Sequence, residues 1–264
     1  MSKTTLEQAF QDTLDQGDKI FVPYIMAGDG GLEALPERIQ FLEEAGATAL
    51  ELGIPFSDPV ADGPTIQEAG LRALEAKVTL RKVLRKLKET KHDRTIPIIL
   101  MTYMNPIYAY GIEDLLNESV DSGVDGLIIP DLPMEEEERI TRYLSDKEIA
   151  LIRLAALTSP IERLKKIAEK TEGFLYAVTV KGTTGAQVEF AETVGEYIKE
   201  LKAMSSKPVL AGFGVSTPEQ VRQLSQYGDG VVVGSEIVSS FHEEKREKIV
   251  DLINASKKQS DDMS

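Results

Sequence analysis

Lys207-Pro208-Val209-Leu210-Ala211-Gly212-Phe213-Gly214 and, after Thr217-Pro218-Glu219-Gln220, Gly230-Val231-Val232-Val233-Gly234-Ser235 form the stretch on which the fold turns. Each apolar run is the length of a strand. The segment between them begins as helices begin: Thr217 is a capping residue, Pro218 stands where the first helical N–H has no partner, and Gln220 completes a capping box. Strand, helix, strand is one βαβ unit. Both runs end in glycine, which lets backbone N–H groups approach an anion, and Ser235 would open a helix whose N-terminus favours negative charge.

The same alternation runs back through the chain. Apolar runs at 20–26, 48–53, 97–103, 125–130, 150–155 and 174–180 precede those at 207–212 and 230–233, giving eight predicted strands. Most carry Val, Ile and Leu on both parities, as strands covered on both faces do. Leu80, Val83, Leu84 and Leu87, and then Ile112, Leu115 and Leu116, fall at helical spacing. Ser159-Pro160-Ile161-Glu162 reads as a second capping box. A further amphipathic segment with Leu6, Phe10 and Leu14 precedes the first strand, placed to plug a barrel floor. Eight even units without a break in composition predict one domain over residues 1–264, an α/β chain folded as a single (β/α)8 barrel with an extra N-terminal helix. The competitor is an open doubly wound sheet. The evenness of the repeat, and glycines after the last two strands where such barrels hold phosphate, favour closure.

Composition narrows the function. A net charge of −14 over 264 residues argues against nucleic acid, whose phosphates are held by clustered Lys and Arg. With no Cys there is no thiol nucleophile or thiolate metal site, and two His, at 92 and 242 in charged surroundings, make a His-rich metal centre or serine triad improbable. No apolar run approaches a membrane span, and the first residues lack the apolar core of a signal peptide. The expectation is a soluble, cytoplasmic protein.

Two connections, 54–77 and 181–189, are longer than the usual 2–6 residues, and both start at the carboxyl ends of strands, where barrel active sites sit. The first follows Ala49-Leu50-Glu51-Leu52-Gly53, an apolar strand interrupted by one acid. Glu51 has two readings: a carboxylate paired within the barrel wall, or a general acid/base whose pKa is raised by apolar surroundings. Asp62, in Ala61-Asp62-Gly63-Pro64, taken alone reads as a turn residue.

Residues 50–63, with Glu51, Gly53, Pro55, Pro59, Asp62 and Gly63 around Phe56-Ser57-Asp58, resemble the signature segment of the tryptophan synthase α subunits. The resemblance extends to Pro23-Tyr24-Ile25-Met26-Ala27-Gly28, Met101-Thr102-Tyr103-Met104-Asn105-Pro106, Ile129-Pro130-Asp131-Leu132-Pro133 and residues 176–185. It implies retro-aldol cleavage of indole-3-glycerol phosphate to indole and glyceraldehyde 3-phosphate. By matching position it makes Glu51 the proton donor to the indole ring and Asp62 the group that holds the indole nitrogen. Gly185, Gly214, Gly234 and Ser235 are implied to bind the phosphate, and Thr184 to touch the catalytic aspartate and close the site. Tyr24, Tyr103, Tyr176 and Phe213 line an aromatic-sized pocket or belong to ordinary barrel core. No metal or organic cofactor is expected. The implied partner is a β subunit carrying pyridoxal phosphate, in an αββα heterotetramer, docked on residues 55–64, Asn105-Pro106 and Asp131-Leu132-Pro133. Gly30 and Gln187 depart from the family pattern, which commonly has Pro and a charged residue there. Rival readings are another phosphate-binding barrel, such as phosphoribosylanthranilate isomerase, and a non-catalytic barrel that only activates a partner.

Overall fold

The computed structural model describes residues 3–178, 187–212 and 214–258. Helix α1 (Lys3–Asp15) leads into β1 (Ile20–Met26), followed by α2 (Leu35–Glu44), β2 (Leu50–Gly53), α3 (Pro64–Glu75), α4 (Leu80–Glu89) and β3 (Ile98–Met101). Then come α5 (Met104–Tyr110), α6 (Ile112–Asp121), β4 (Gly126–Ile128), α7 (Glu138–Thr141), β5 (Ala150–Ala156), α8 (Ile161–Lys170) and β6 (Leu175–Val178). The chain finishes with α9 (Gln187–Met204), β7 (Val209–Gly212), α10 (Pro218–Tyr227), β8 (Gly230–Val233), α11 (Ser235–His242) and α12 (Arg246–Asn254). All eight strands pair in parallel in chain order, and β8 returns to β1 through Ile20↔Gly230 and its neighbours. The barrel is closed and the open sheet is excluded. Among the described residues, no helix is long and apolar enough to cross a membrane.

The helical stripes read from the sequence face inward: Leu80, Val83, Leu84 and Leu87 of α4 are all buried, as are Leu115 and Leu116 of α6. The capping box on α10 forms, with Thr217 and Gln220 each accepting from the other's backbone. The expected box on α8 does not. Pro160 sits at φ −58°, ψ 146°, outside the helix, so Ser159 is one residue too far back to reach the first turn. The predicted third strand is three residues too long at its start and end combined, because Tyr103 already stands before α5, whose first turn contains Asn105 and Pro106. Proline is tolerated there, since first-turn N–H groups have no helical partner. Likewise the connection after β2 is irregular only over 54–63; α3 begins at Pro64.

The floor is sealed as the first helix suggested. Leu6 and Phe10 of α1 are buried, the Phe10 ring meets Phe174 edge-on at 5.8 Å between centroids, and Lys207 reaches Glu7 at 2.7 Å. Buried and partly buried side chains also stitch this end. Asp125 accepts the Ile98 N–H at 2.9 Å, Asp229 that of Val209 at 2.9 Å, and Thr48 that of Phe21 at 3.2 Å. Each satisfies a strand N–H that the ladder leaves unpaired.

Candidate active site

Two acids meet at the opposite end. Glu51, mid-strand in β2, pairs in register with Tyr24 on one side and Ile99 on the other, and its side chain is 1% exposed. Its Oε2 has no hydrogen-bond partner among the described residues. Asp62 comes from the loop above and is half-buried. Both line one cavity of about 210 Å3 with Tyr24, Tyr176, Gly214, Gly234 and Ser235. The wall is completed by Gly63, Ile66, Met101, Val215, Ser216 and Val232, none of which is singled out in the sequence as a site residue.

The environments of the two acids differ. Burial pushes the Glu51 carboxyl up to about 8, with the neighbouring Asp62 charge adding to the effect. Burial also raises Asp62, to about 6, but a hydrogen bond from the Tyr103 hydroxyl opposes it. At neutral pH one carboxyl holds its proton and the other has lost it. The Tyr24 and Tyr176 hydroxyls are raised as well, first by burial and then by these two acids, so both stay neutral donors.

Local packing explains how each group is held. A Cβ on Gly53 would lie 1.9 Å from the Tyr24 hydroxyl, and one on Gly212 would lie 2.2 Å from the Tyr176 ring. Gly212, read from the sequence as an anion-binding position, and Gly53, a position of the family signature, make room for the two tyrosines that line the cavity. Tyr103 does not line the cavity. It is buried, packs at 5.3 Å against Phe56, accepts the Ala61 N–H at 3.2 Å and donates to Asp62, which fixes the loop that carries the acid. Gln67 of α3 adds a second tie, donating to the Asp62 carbonyl at 2.8 Å.

On the same cavity, beyond β1, Gly234 caps α11 and Ser235 is its first helical residue. The N–H groups of that first turn have no helical partner and point at the cavity end with the positive pole of the helix dipole. Glu236, in the same turn, is drawn off toward Ser240 and Lys248. Thr184, Gly185 and Phe213 lie outside the described residues. A larger hollow of about 610 Å3 opens above β4 and β5, but its acids are engaged: Glu137 is bidentate with Arg153, and Asp131 accepts the Met104 N–H at the start of α5. No three His, Asp or Glu side chains gather as a metal site among the described residues.

The segments expected to meet a partner follow the carboxyl ends of β2, β3 and β4, and Val60 in the 54–63 segment is 82% exposed. Gly30, one of the two departures, has φ +80°, which proline cannot adopt, so the loop after β1 has its own conformation here. Gln187, the other, opens α9.

A family model for the tryptophan synthase alpha chain matches residues 10–263. The chain is 53% identical over 256 residues to the tryptophan synthase alpha chain of Oceanobacillus iheyensis, covering 97% of this chain and 98% of that one. It is 49% identical over 254 residues to the counterpart in Bacillus cereus, covering 96% and 98%. Among solved structures, tryptophan synthase subunit alpha from Legionella pneumophila superposes with a TM-score of 0.86 at 31% identity, covering 97% of this chain and 98% of that one. A tryptophan synthase from Mycobacterium tuberculosis gives 0.87 at 29% identity, with 97% and 100% covered. The chain belongs to the tryptophan synthase alpha chain family.

Proposed function

We propose that the cavity between Glu51 and Ser235 is where this chain carries out its family's reaction, with Glu51 as the proton carrier and Asp62 as the fixed negative charge. The chain is the indole-3-glycerol phosphate lyase component of tryptophan synthase. The observation that carries the residue roles is the split between two neighbouring carboxyls, one raised to about 8 and one to about 6. Acids set apart in this way divide the tasks of acid and base.

Breaking the bond between indole C3 and the glycerol chain requires a proton on C3. Protonated Glu51 delivers it, and the positive charge that develops at the ring nitrogen is stabilised by ionised Asp62. Glu51, now a carboxylate, takes the proton of the adjacent glycerol hydroxyl as that carbon becomes the aldehyde, and the bonding electrons return to the indole ring. Indole and D-glyceraldehyde 3-phosphate leave, and Glu51 is protonated again. Tyr24 and Tyr176 flank the ring. The phosphate is assigned to the first turn of α11, with Gly234 and Ser235, to Gly214 and to Gly185, while Thr184 is assigned to touch Asp62 and close the site. Proton transfer and one electrostatic contact suffice, so no organic cofactor is assigned to this chain; pyridoxal phosphate is assigned to the β chain.

A β-chain partner goes with the family, and we assign the αββα arrangement with the exposed mouth loops at the contact. A biosynthetic enzyme acting on a phosphorylated metabolite belongs in the cytoplasm. The test is indole release from indole-3-glycerol phosphate by the purified chain, with and without its β chain. Slow release by the chain alone, accelerated by the β chain, is expected. No indole under either condition would overturn the reading.

A further inference from the structure

One ion pair, its carboxylate buried, lies outside the proposed chemistry and joins the loop after β1 to α3, the helix that follows the Asp62 loop. The loop leaving β1 carries Asp29, 4% exposed, and α3 carries Arg72. The guanidinium grips the carboxylate bidentately, Nε to Oδ1 at 2.7 Å and Nη2 to Oδ2 at 2.9 Å. On the other side of the loop, the Arg38 guanidinium crowds Gly30 so closely that a Cβ there would lie 2.5 Å from it. Asp29 is thus held between two cations, with only Arg72 bonded to it among the described residues.

What the pair connects matters for the site. β1 pairs with β2 at Tyr24↔Glu51, so the loop after β1 moves with the Glu51 strand. α3 begins two residues after Asp62, lines the cavity with Ile66, and ties the Asp62 carbonyl through Gln67. The helix meets β1 at Gly70, where a Cβ would stand in ordinary contact 3.6 Å from Met26 Cε, and Ala69 and Ala73 of the same helix are buried. A smooth contact of small residues permits sliding. A planar fork locked onto a buried carboxylate does not, because both of its bonds fail together when the helix moves.

We propose that Asp29 and Arg72 are positioning residues for the reaction: the pair fixes α3 on β1 and so sets where Asp62 stands relative to Glu51. The proposal rests on the roles assigned to those two acids. Displacement of a catalytic group by about 1 Å costs on the order of a hundredfold in rate, and a group that positions the acids without touching substrate acts on kcat, not on KM.

The experiment measures kcat and KM for indole release in Arg72→Lys, Arg72→Gln and the double variant Asp29→Asn/Arg72→Gln, with Glu51→Gln run alongside. Arg72→Gln leaves a buried charge unpaired and is expected to lower Tm as well as kcat. The double variant removes both charges, so its Tm returns toward the parent's. Its kcat stays down about tenfold to a hundredfold with KM within about twofold. Arg72→Lys, which keeps the charge and loses the fork, falls between and keeps the proposal testable if the others do not fold. A folded double variant with the parent's kcat, or one in which only KM rises, would overturn the proposal. An active Glu51→Gln would instead sink the catalytic reading beneath it.

Discussion

Asp125 at the barrel floor and Glu51 below its mouth are both almost wholly removed from water, and only one of them faces a cavity. Asp125 spends Oδ2 on the Ile98 N–H while its Oδ1, like the Glu51 Oε2, has no partner among the described residues; it has Arg94 nearby and is raised to about 6. Glu51 has neither a backbone donor on Oε2 nor a nearby cation, and the closest charge is another carboxylate. The first acid is part of the strand ladder; the second holds a proton that has nowhere to go until a substrate arrives. Burial of an acid therefore does not identify a catalytic group. What sets the proposed proton carrier apart is access to a cavity and the lack of a neighbouring cation.

The largest expected effect separates the two acids directly. Glu51→Gln should lower kcat for indole release by about a thousandfold or more, within the range general acid/base catalysis contributes, while Asp125→Asn should leave the kcat of folded protein within about twofold of the parent. A Glu51→Gln chain retaining a tenth of the rate would erase the distinction.

Stability should respond in the opposite order. Asp125→Ala leaves the Ile98 N–H buried without an acceptor and should cost about 1–3 kcal/mol in urea unfolding, whereas Asp125→Asn, whose amide oxygen still accepts, should cost less. Glu51→Gln should stabilise. The folded chain keeps a proton on Glu51 up to about pH 8, and the unfolded chain releases it near 4.5. Folding takes up a proton in that window, so stability falls as pH rises through it. The glutamine chain lacks this loss, and its Tm advantage should be small at pH 5 and several degrees at pH 8.

The subtlest expectation is the pH profile of kcat/KM. Activity should fall below about pH 6, where Asp62 gains a proton, and above about pH 8, where Glu51 loses one. The alkaline limb should vanish in any residual activity of Glu51→Gln. An unchanged limb would assign it to another group.

The sequence exposes some of this and hides the rest for definite reasons. β1 and β8 run over the residues expected, since their apolar runs end at a turn residue or a glycine. Glu51 is conspicuous as one acid in an apolar strand. Ile66, Met101 and Val232 are not, because which parity faces the cavity depends on barrel register that no single strand encodes. Tyr103 reads as a wall of the pocket or as ordinary barrel core; its work as the anchor of the 54–63 loop needs Phe56 and Ala61 folded back over it. The Asp29–Arg72 pair joins residues 43 apart in sequence, a separation with no local signature.

Tyr24 and Tyr176 lean over a cavity in a chain that contains no tryptophan. Near-ultraviolet emission from this protein is purely phenolic, and the only indole it holds is the one it binds. If the indole ring occupies the cavity as proposed, the two tyrosines lining it pass their excitation to the ring, and filling of the site should quench phenolic emission and bring up a longer-wavelength indolic band. The protein is thereby its own unlabelled optical reporter of substrate arrival and indole departure.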